Sequence, residues 1–498
     1  MKKLLDFFLL SFCLIFFFCL TPTAFAEEVD INETNFPDEV FRNYISTNYD
    51  RDNDSALSET EISRIRSLTL PQKSISSIKG IEFFSSLTSL NCGYNLLTRL
   101  DVSNNTALTS LNCWGNQLTK LDVSNNTALT SLRCDNNQLT RLDVSNNTAL
   151  TSLRCDSNQL TSLDVSKNTA LTSLSCRNNS LTSLDVNNNT ALTSLDCSDN
   201  QLTNLDVGTN TSLTSLSCRD NSLTSLDVNN NTALTSLYCG NNQLTNLDIS
   251  KNTALTSLDC YHNLLAELDV SYNISLNSLE CDVNLLTELD ISKNTALDSL
   301  ECSNNQLKDL DISNNTALTF LHCNNNQLTN LDVSFCNRLR HLVCYSNHLV
   351  NLDICNCPKL VVLVCNSQPY TNTRGIRYGG SANGGYSSSD TILFYGKDVT
   401  LITPTPDLVL PASLNTISEE AFAGGAFRYV KLSEQTESIG PFAFANCPNL
   451  KYIYIPNETT MIDGNAFGDI QELAIFGKAG STADDYAYYH DFTFIPIS

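Results

Sequence analysis

Hydrophobic positions recur along this chain with a period that does not drift. The unit LTSLxCxxNxLTxLDVSxNTA is complete from Leu87 to Ala107, and its cysteine returns every 21 residues from Cys92 to Cys365. A fixed period of this length, with Leu at set offsets and Asn closing each half, predicts a solenoid. One coil cannot bury its own apolar side, and the next coil supplies the cover. Each unit is two near copies of LxxLxΦxxN, with Cys at Φ in one half and Val or Ile in the other. Alternation within SLxC and LDVS turns Leu and Cys, or Leu and Val, inward. The expected fold is mostly β: parallel stacked short strands, two per coil, one on each broad face, at a spacing of about 4.8 Å.

Four columns of the unit raise chemical questions. The cysteine column reads as buried filler, because free Cys is a small hydrophobe that favours interiors. Disulfides between stacked neighbours fit bridge geometry poorly, and a column is not a tetrahedral metal cluster. Two asparagine columns (Asn95, Asn116, Asn137 and Asn105, Asn126, Asn147) are expected to bond turn backbone that has no strand partner. An aspartate column runs from Asp101 to Asp353 in LDV or LDI. Its carboxylates face out about 5 Å apart, costing about 0.8 kcal/mol per neighbouring pair in water. Each Asp either accepts bonds from its own turn or contributes to a cation-condensing stripe.

The flanks do not repeat. Residues 1–26 carry Lys2 and Lys3, an apolar run from Leu4 to Leu20 and a small-x-small site at Ala24-Phe25-Ala26, the pattern of a secretory signal peptide. Residues 27–66 read as a helical cap, with a helix over Pro37–Tyr49 whose apolar face is Val40, Phe41, Tyr44 and Ile45. DRDNDSALSETE, Asp50 to Glu61, then resembles an EF-hand loop. Asp50, Asp52 and Asp54 stand at positions 1, 3 and 5, Ala56 offers a carbonyl at 7, Ser58 stands at 9 and Glu61 at the bidentate position 12, which implies structural Ca2+. Ser55 replaces the usual Gly, and a lone loop lacks the usual partner hand. The competing reading is a capping box of Ser58 and Glu61 beside a solvated acidic turn.

From 67 to 367 the coils continue, and Ser67–Leu87 (Leu68, Leu70, Ile75, Ile78, Ile81) resembles the first repeat of internalin-like leucine-rich repeat proteins. Residues 368–390 are a Gly/Ser-rich linker. In 391–498 a different repeat places Ile417, Ile439 and Ile462 ahead of Phe422, Phe444 and Phe467. Its AFxxCxxLxxIxIP signature resembles the BspA-like class of leucine-rich repeats, and the ending resembles that class's cap, a short helix plus a last strand. Cys336, Cys357 and Cys447 replace the Asn of NTAL; Cys336 and Cys357 read as an ordinary substitution or, with Cys355, as a bridge or zinc site.

In a solenoid, recognition belongs to positions that vary between coils on a regular face. Beside each inward Cys the outward positions are three before, one before and one after. They carry Trp114, Tyr238, Tyr261 and, where the Ser column fails, Phe320, His322, His341, Val343 and Tyr345. This last group is either a binding patch or is covered by the chain that follows.

Composition narrows the function. A net charge of −24 disfavours nucleic acid and anionic membranes. No apolar run beyond the leader is long enough to span a bilayer. No HExxH, phosphate loop or nucleophile elbow accompanies the five histidines, so an enzyme is not expected. The resemblances imply an exported, monomeric binding or adhesion protein, secreted or cell-surface associated, that recognises a protein or glycan. The alternative is a structural spacer in a surface assembly with no single ligand.

Overall fold

The computed structural model describes residues 28–349, 351–353, 356–357, 359, 362–365, 392–395, 400–402, 408–410, 415–425 and 427–497. The signal-peptide stretch, the Gly/Ser-rich segment and Cys355 lie outside them. Two compact units divide between Leu192 and Thr193. In each, the Cys half of every coil forms a three-residue strand, such as Ser110–Asn112 and Ser131–Arg133 in the first and Ser215–Ser217 and Ser236–Tyr238 in the second. Neighbours pair in parallel one period apart, Leu111 with Leu132 and Leu216 with Leu237. The chain is therefore a parallel leucine-rich repeat solenoid, with three α-helices among the described residues.

The inward columns pack as the alternation requires: Leu90, Cys92, Leu97, Val102 and Leu108, with their equivalents in later coils, are essentially inaccessible. The ladder thiols from Cys92 to Cys323 are unbridged. Burial pushes the Cys92 thiol up to about 12, far from the thiolate that redox or metal chemistry needs. The Cys336 Sγ donates to the Asn315 carbonyl and the Cys357 Sγ to that of Val333.

One expectation is corrected. Among the described residues the LDV half pairs as a strand only at Asn351–Asp353 with Thr400–Ile402, apart from an isolated Asp101–Asp122 bridge. The Val102 carbonyl accepts from the Asn105 backbone N–H at 3.0 Å and from the Asn126 side-chain amide at 2.9 Å. The aspartates of this half make local turns: Asp122 Oδ1 accepts from the Ser124 N–H at 2.9 Å. Bonds from Ser124 hold the Asp122 carboxyl below its ordinary range.

In the first unit the cap seats the first coil. Helix α1, Glu39–Tyr49, buries Phe41 and Ile45 but leaves Val40 44% exposed, so the apolar face is narrower than the sequence predicts. Phe36 packs on Phe41 and Phe84 with ring centroids 5.9 and 6.2 Å apart. Gly80, at φ +105°, leaves room for that ring, since a Cβ there would lie 2.4 Å from it. Helix α2, Glu59–Arg64, follows the acidic loop.

In the second unit Ile392–Tyr395 pairs with Val362–Cys365 as the final strand of the Cys-type sheet. Leu408–Val409 opens a second, five-stranded sheet, beside a three-stranded one. Phe422, Phe444 and Phe467 stack through its interior at 5.3 and 5.6 Å. Helix α3, Thr482–Tyr489, and the strand Thr493–Ile497 close the stack, the strand pairing with Ala474–Lys478.

Candidate functional site

The outward side chains of the Cys strands lie side by side because parallel in-register pairing aligns equal offsets of successive coils. In the first unit Arg133 donates to Asp135 at 2.7 Å, and Arg154 lies 3.7 Å from the same buried carboxylate and 2.8 Å from Asp156. The Arg133 guanidinium also sits over the Trp114 ring, 4.9 Å from its centroid. This is a closed charge network with an aromatic residue at its edge.

The second unit differs in sign. Arg219 lies over Tyr238 at 4.7 Å and pairs with the buried Asp259. Tyr261 lies flat against Gly240, where any Cβ would meet the ring 2.1 Å away. Beyond it, Asp259, Glu280, Asp282 and Glu301 crowd one stretch of the face. Burial first, then the Glu301 charge, raises Asp282 to about 6. Burial raises Asp259 to about 6 despite Arg219.

Next come the rings. Phe320 lies 4.0 Å from His322 and 5.3 Å from His341, and His322 is in register with Val343. All four are half-buried. His322 Nδ1 is 3.8 Å from Glu301, which joins the aromatic cluster to the acidic stretch. Burial, then His322 and Arg340, lowers the His341 pKa, so this ring is neutral at physiological pH. Tyr345 is half-buried one position past Cys344. The structure thus brings Phe320, His322, His341 and Val343 together and leaves Trp114 in the other unit. The following strands, Val362–Cys365 and Ile392–Tyr395, extend the edge of this sheet.

In the cap, one carboxylate oxygen each from Asp50, Asp52 and Asp54 lies within 4.8 Å of the others. Asp50 is buried, and its Oδ1 has no hydrogen-bond partner. Ser55 takes φ +70°, the conformation the loop needs at the position usually held by Gly. Ala56–Leu57 pairs with Val29–Asp30, so the leading segment occupies the place of a partner hand. Glu61 meanwhile makes the capping box: Oε2 accepts from the Ser58 N–H and hydroxyl at 2.9 Å, and Oε1 from the Arg51 N–H at 2.7 Å. Those bonds, led by the one from Arg51, lower the Glu61 pKa.

Sequence reasoning passed over Tyr94, 56% exposed and 5.3 Å from Trp114. It was findable in the column two after each Cys, where the other early coils place Gly, Asn or Ser.

Comparison with known proteins agrees with this architecture. Residues 402–490 match the BspA type leucine rich repeat region in six copies. Internalin J of Listeria monocytogenes is 41% identical over 71 residues, 14% of this chain and only 8% of that protein. The solved functional domain of InlJ from Listeria monocytogenes, described as including a cysteine ladder, superposes with a TM-score of 0.61 at 40% identity, covering 67% of this chain and 79% of that one. An internalin, inlF, from the same species gives 0.60 at 26% identity, covering 64% and 98%. Among the described residues no helix is long and apolar enough to cross a membrane. Built as a scaffold for protein interaction, the chain belongs to the internalin-like bacterial leucine-rich repeat proteins.

Proposed function

We propose that this is an exported protein, secreted or held at the bacterial surface, that binds a protein partner through the Cys-strand face of its second unit. The observation that carries the reading is the contact of Phe320 with His322 and His341, where the otherwise serine column gives way to rings. Half-exposed aromatic residues beside charge, on rigid strands, form the usual centre of a protein interface. The acidic stretch from Asp259 to Glu301 favours a partner with a basic patch and adds salt-dependent association. The test is capture of host surface and matrix proteins by the full chain. Phe320→Ser with His341→Ser restores the common residue of the column and is expected to weaken capture at least tenfold. Capture that survives this double change, and scales only with the number of coils, would favour a spacer.

The cap loop is proposed to take calcium. Three converging carboxylates, an unpartnered buried Asp50 oxygen and the left-handed Ser55 fit a hard, oxygen-ligated cation. Binding would draw on the Ala56 carbonyl and on Glu61, in competition with its capping bonds, so affinity is expected in the extracellular range, about 10⁻⁴–10⁻³ M. Calorimetry of the full chain should show uptake that Asp50→Asn removes. No heat at millimolar calcium would defeat the reading.

A further inference from the structure

A cleft in the first unit shares no residue with the proposed protein-binding patch. It measures roughly 380 Å³ and opens between the first coils at the turn that follows the Cys strands. Its lining includes Gln72, Ser74, Tyr94, Leu96 and Gln117 and no ionisable acid or base apart from the Tyr94 phenol. The volume is within the range of about 300–1,000 Å³ common to small-molecule sites. Lys73, between Gln72 and Ser74 in the chain, is turned to the Tyr44 ring, its ammonium 5.4 Å from the ring centroid.

Three features mark the cleft as built. Tyr94 adopts φ +53°, the left-handed conformation that the other coils also take at this position and fill with Gly, Asn, Ser, Asp, His262 or Val283. Here the position presents an aromatic ring that is 56% exposed. That ring is held in place. Trp114 stands 5.3 Å from it, backed by Arg133 and laid flat on Gly93, where a Cβ would lie 2.4 Å from the indole. Gly115 completes the fit, since a Cβ there would come within 3.2 Å of the Tyr94 ring. Finally, the side chains of Gln72, Ser74 and Gln117 are exposed and make no hydrogen bond to the described protein.

From the lining we infer that this cleft binds a neutral saccharide, with Tyr94 as the stacking platform, Gln72, Ser74 and Gln117 as hydroxyl partners and Trp114 as a positioning residue. The C–H-rich face of a pyranose carries partial positive charge and suits the negative face of an aromatic ring. Its hydroxyls need donors and acceptors in equal measure, which carboxamides supply. Without a cation or a carboxylate in the lining, a charged ligand gains nothing here.

The test uses the chain's only tryptophan as reporter. The full chain is titrated with cellobiose, maltose, lactose and N,N′-diacetylchitobiose at millimolar concentration, with glucuronic acid as the charged comparison. At least one neutral disaccharide is expected to shift the indole emission saturably, with matching heat in calorimetry, and glucuronic acid is not. Tyr94→Asn installs the residue of Asn136 and Asn178 and keeps the coil, and it should weaken binding at least tenfold. Gln117→Ala should weaken it several-fold with emission in the free protein unchanged. Silence from all four disaccharides, or binding that Tyr94→Asn leaves intact, overturns the assignment. Loss of protein capture in Tyr94→Asn without any sugar response would reassign the cleft to a protein contact. The Phe320/His341 double change should leave the sugar response intact, so this proposal and the protein-binding one fail separately.

Discussion

Each coil turns twice on an asparagine, and the two turns use it differently. After the Cys strand, Asn242 donates to the carbonyls of Cys218, Cys239 and Gly240, and its Oδ1 accepts the Leu223 N–H at 2.9 Å. After the Val segment, Asn252 donates to Val228 and Asn231, but its buried Oδ1 has no partner. The first turn needs a donor and an acceptor on one short side chain; the second needs only a donor. This accounts for a pattern in the sequence. The first column is Asn in every coil from Asn95 to Asn347, whereas the second gives way to Cys336 and Cys357. A thiol can donate weakly, and Cys357 reaches the carbonyl of Val333, 24 residues back, just as Asn252 reaches Val228.

The comparison breaks most visibly through Asn242. Asn242→Cys or Asn242→Ala should cost about 3–5 kcal/mol, because backbone groups are left buried without partners. The urea midpoint of the second unit reads the loss; a midpoint is the safer measure because long repeat arrays depart from two-state unfolding. Asn252→Cys is expected to cost only about 1 kcal/mol, and Asn252→Ala about 2. Equal losses at the two positions would end the distinction.

Smaller effects sharpen it. Thiols in both places are shielded, but Cys336 in the turn is raised only to about 11 and Cys92 in the strand to about 12. Native protein at pH 8 should resist alkylation, with Cys336 labelled ahead of Cys92 once urea is added. Ladder thiols that label first would overturn the order. The smallest effect is a pH dependence on the strand face. Asp282 has a folded pKa near 6, above the ordinary 3.8, so the folded state holds the proton more tightly. Its contribution to stability therefore rises as pH falls from about 7 toward 4 and is lost as pH climbs through 6. Asp282→Asn should flatten that part of the melting-temperature profile, leaving the profile above pH 7 unchanged in slope.

Much of this was legible in one dimension. The 21-residue period, the inward Leu, Cys and Val, the cap helix, the irregular first coil and the change to a phenylalanine stack need only spacing and polarity. The candidate site was legible in part. Phe320, His322, His341 and Val343 stand out because they interrupt a serine column, and in-register pairing brings them together. Trp114 stood out as a lone ring, but its role did not: Gly93 is one coil away and carries no side chain to mark it. Nor could the sequence show that Glu61 serves a capping box while Asp50 keeps a free oxygen, since one spacing satisfies both motifs.

The sequence by itself determined the coil, because burying one apolar stripe per 21 residues has a single economical solution when every unit is alike. It also determined which faces could vary. Tertiary structure decided that the Cys halves pair as strands while, among the described residues, the Val halves stay largely unpaired. It decided too that a tyrosine in a left-handed turn packs beside a tryptophan laid over a glycine. Those outcomes depend on distances between coils and on the room left by a missing Cβ, and neither quantity is carried by the order of residues alone.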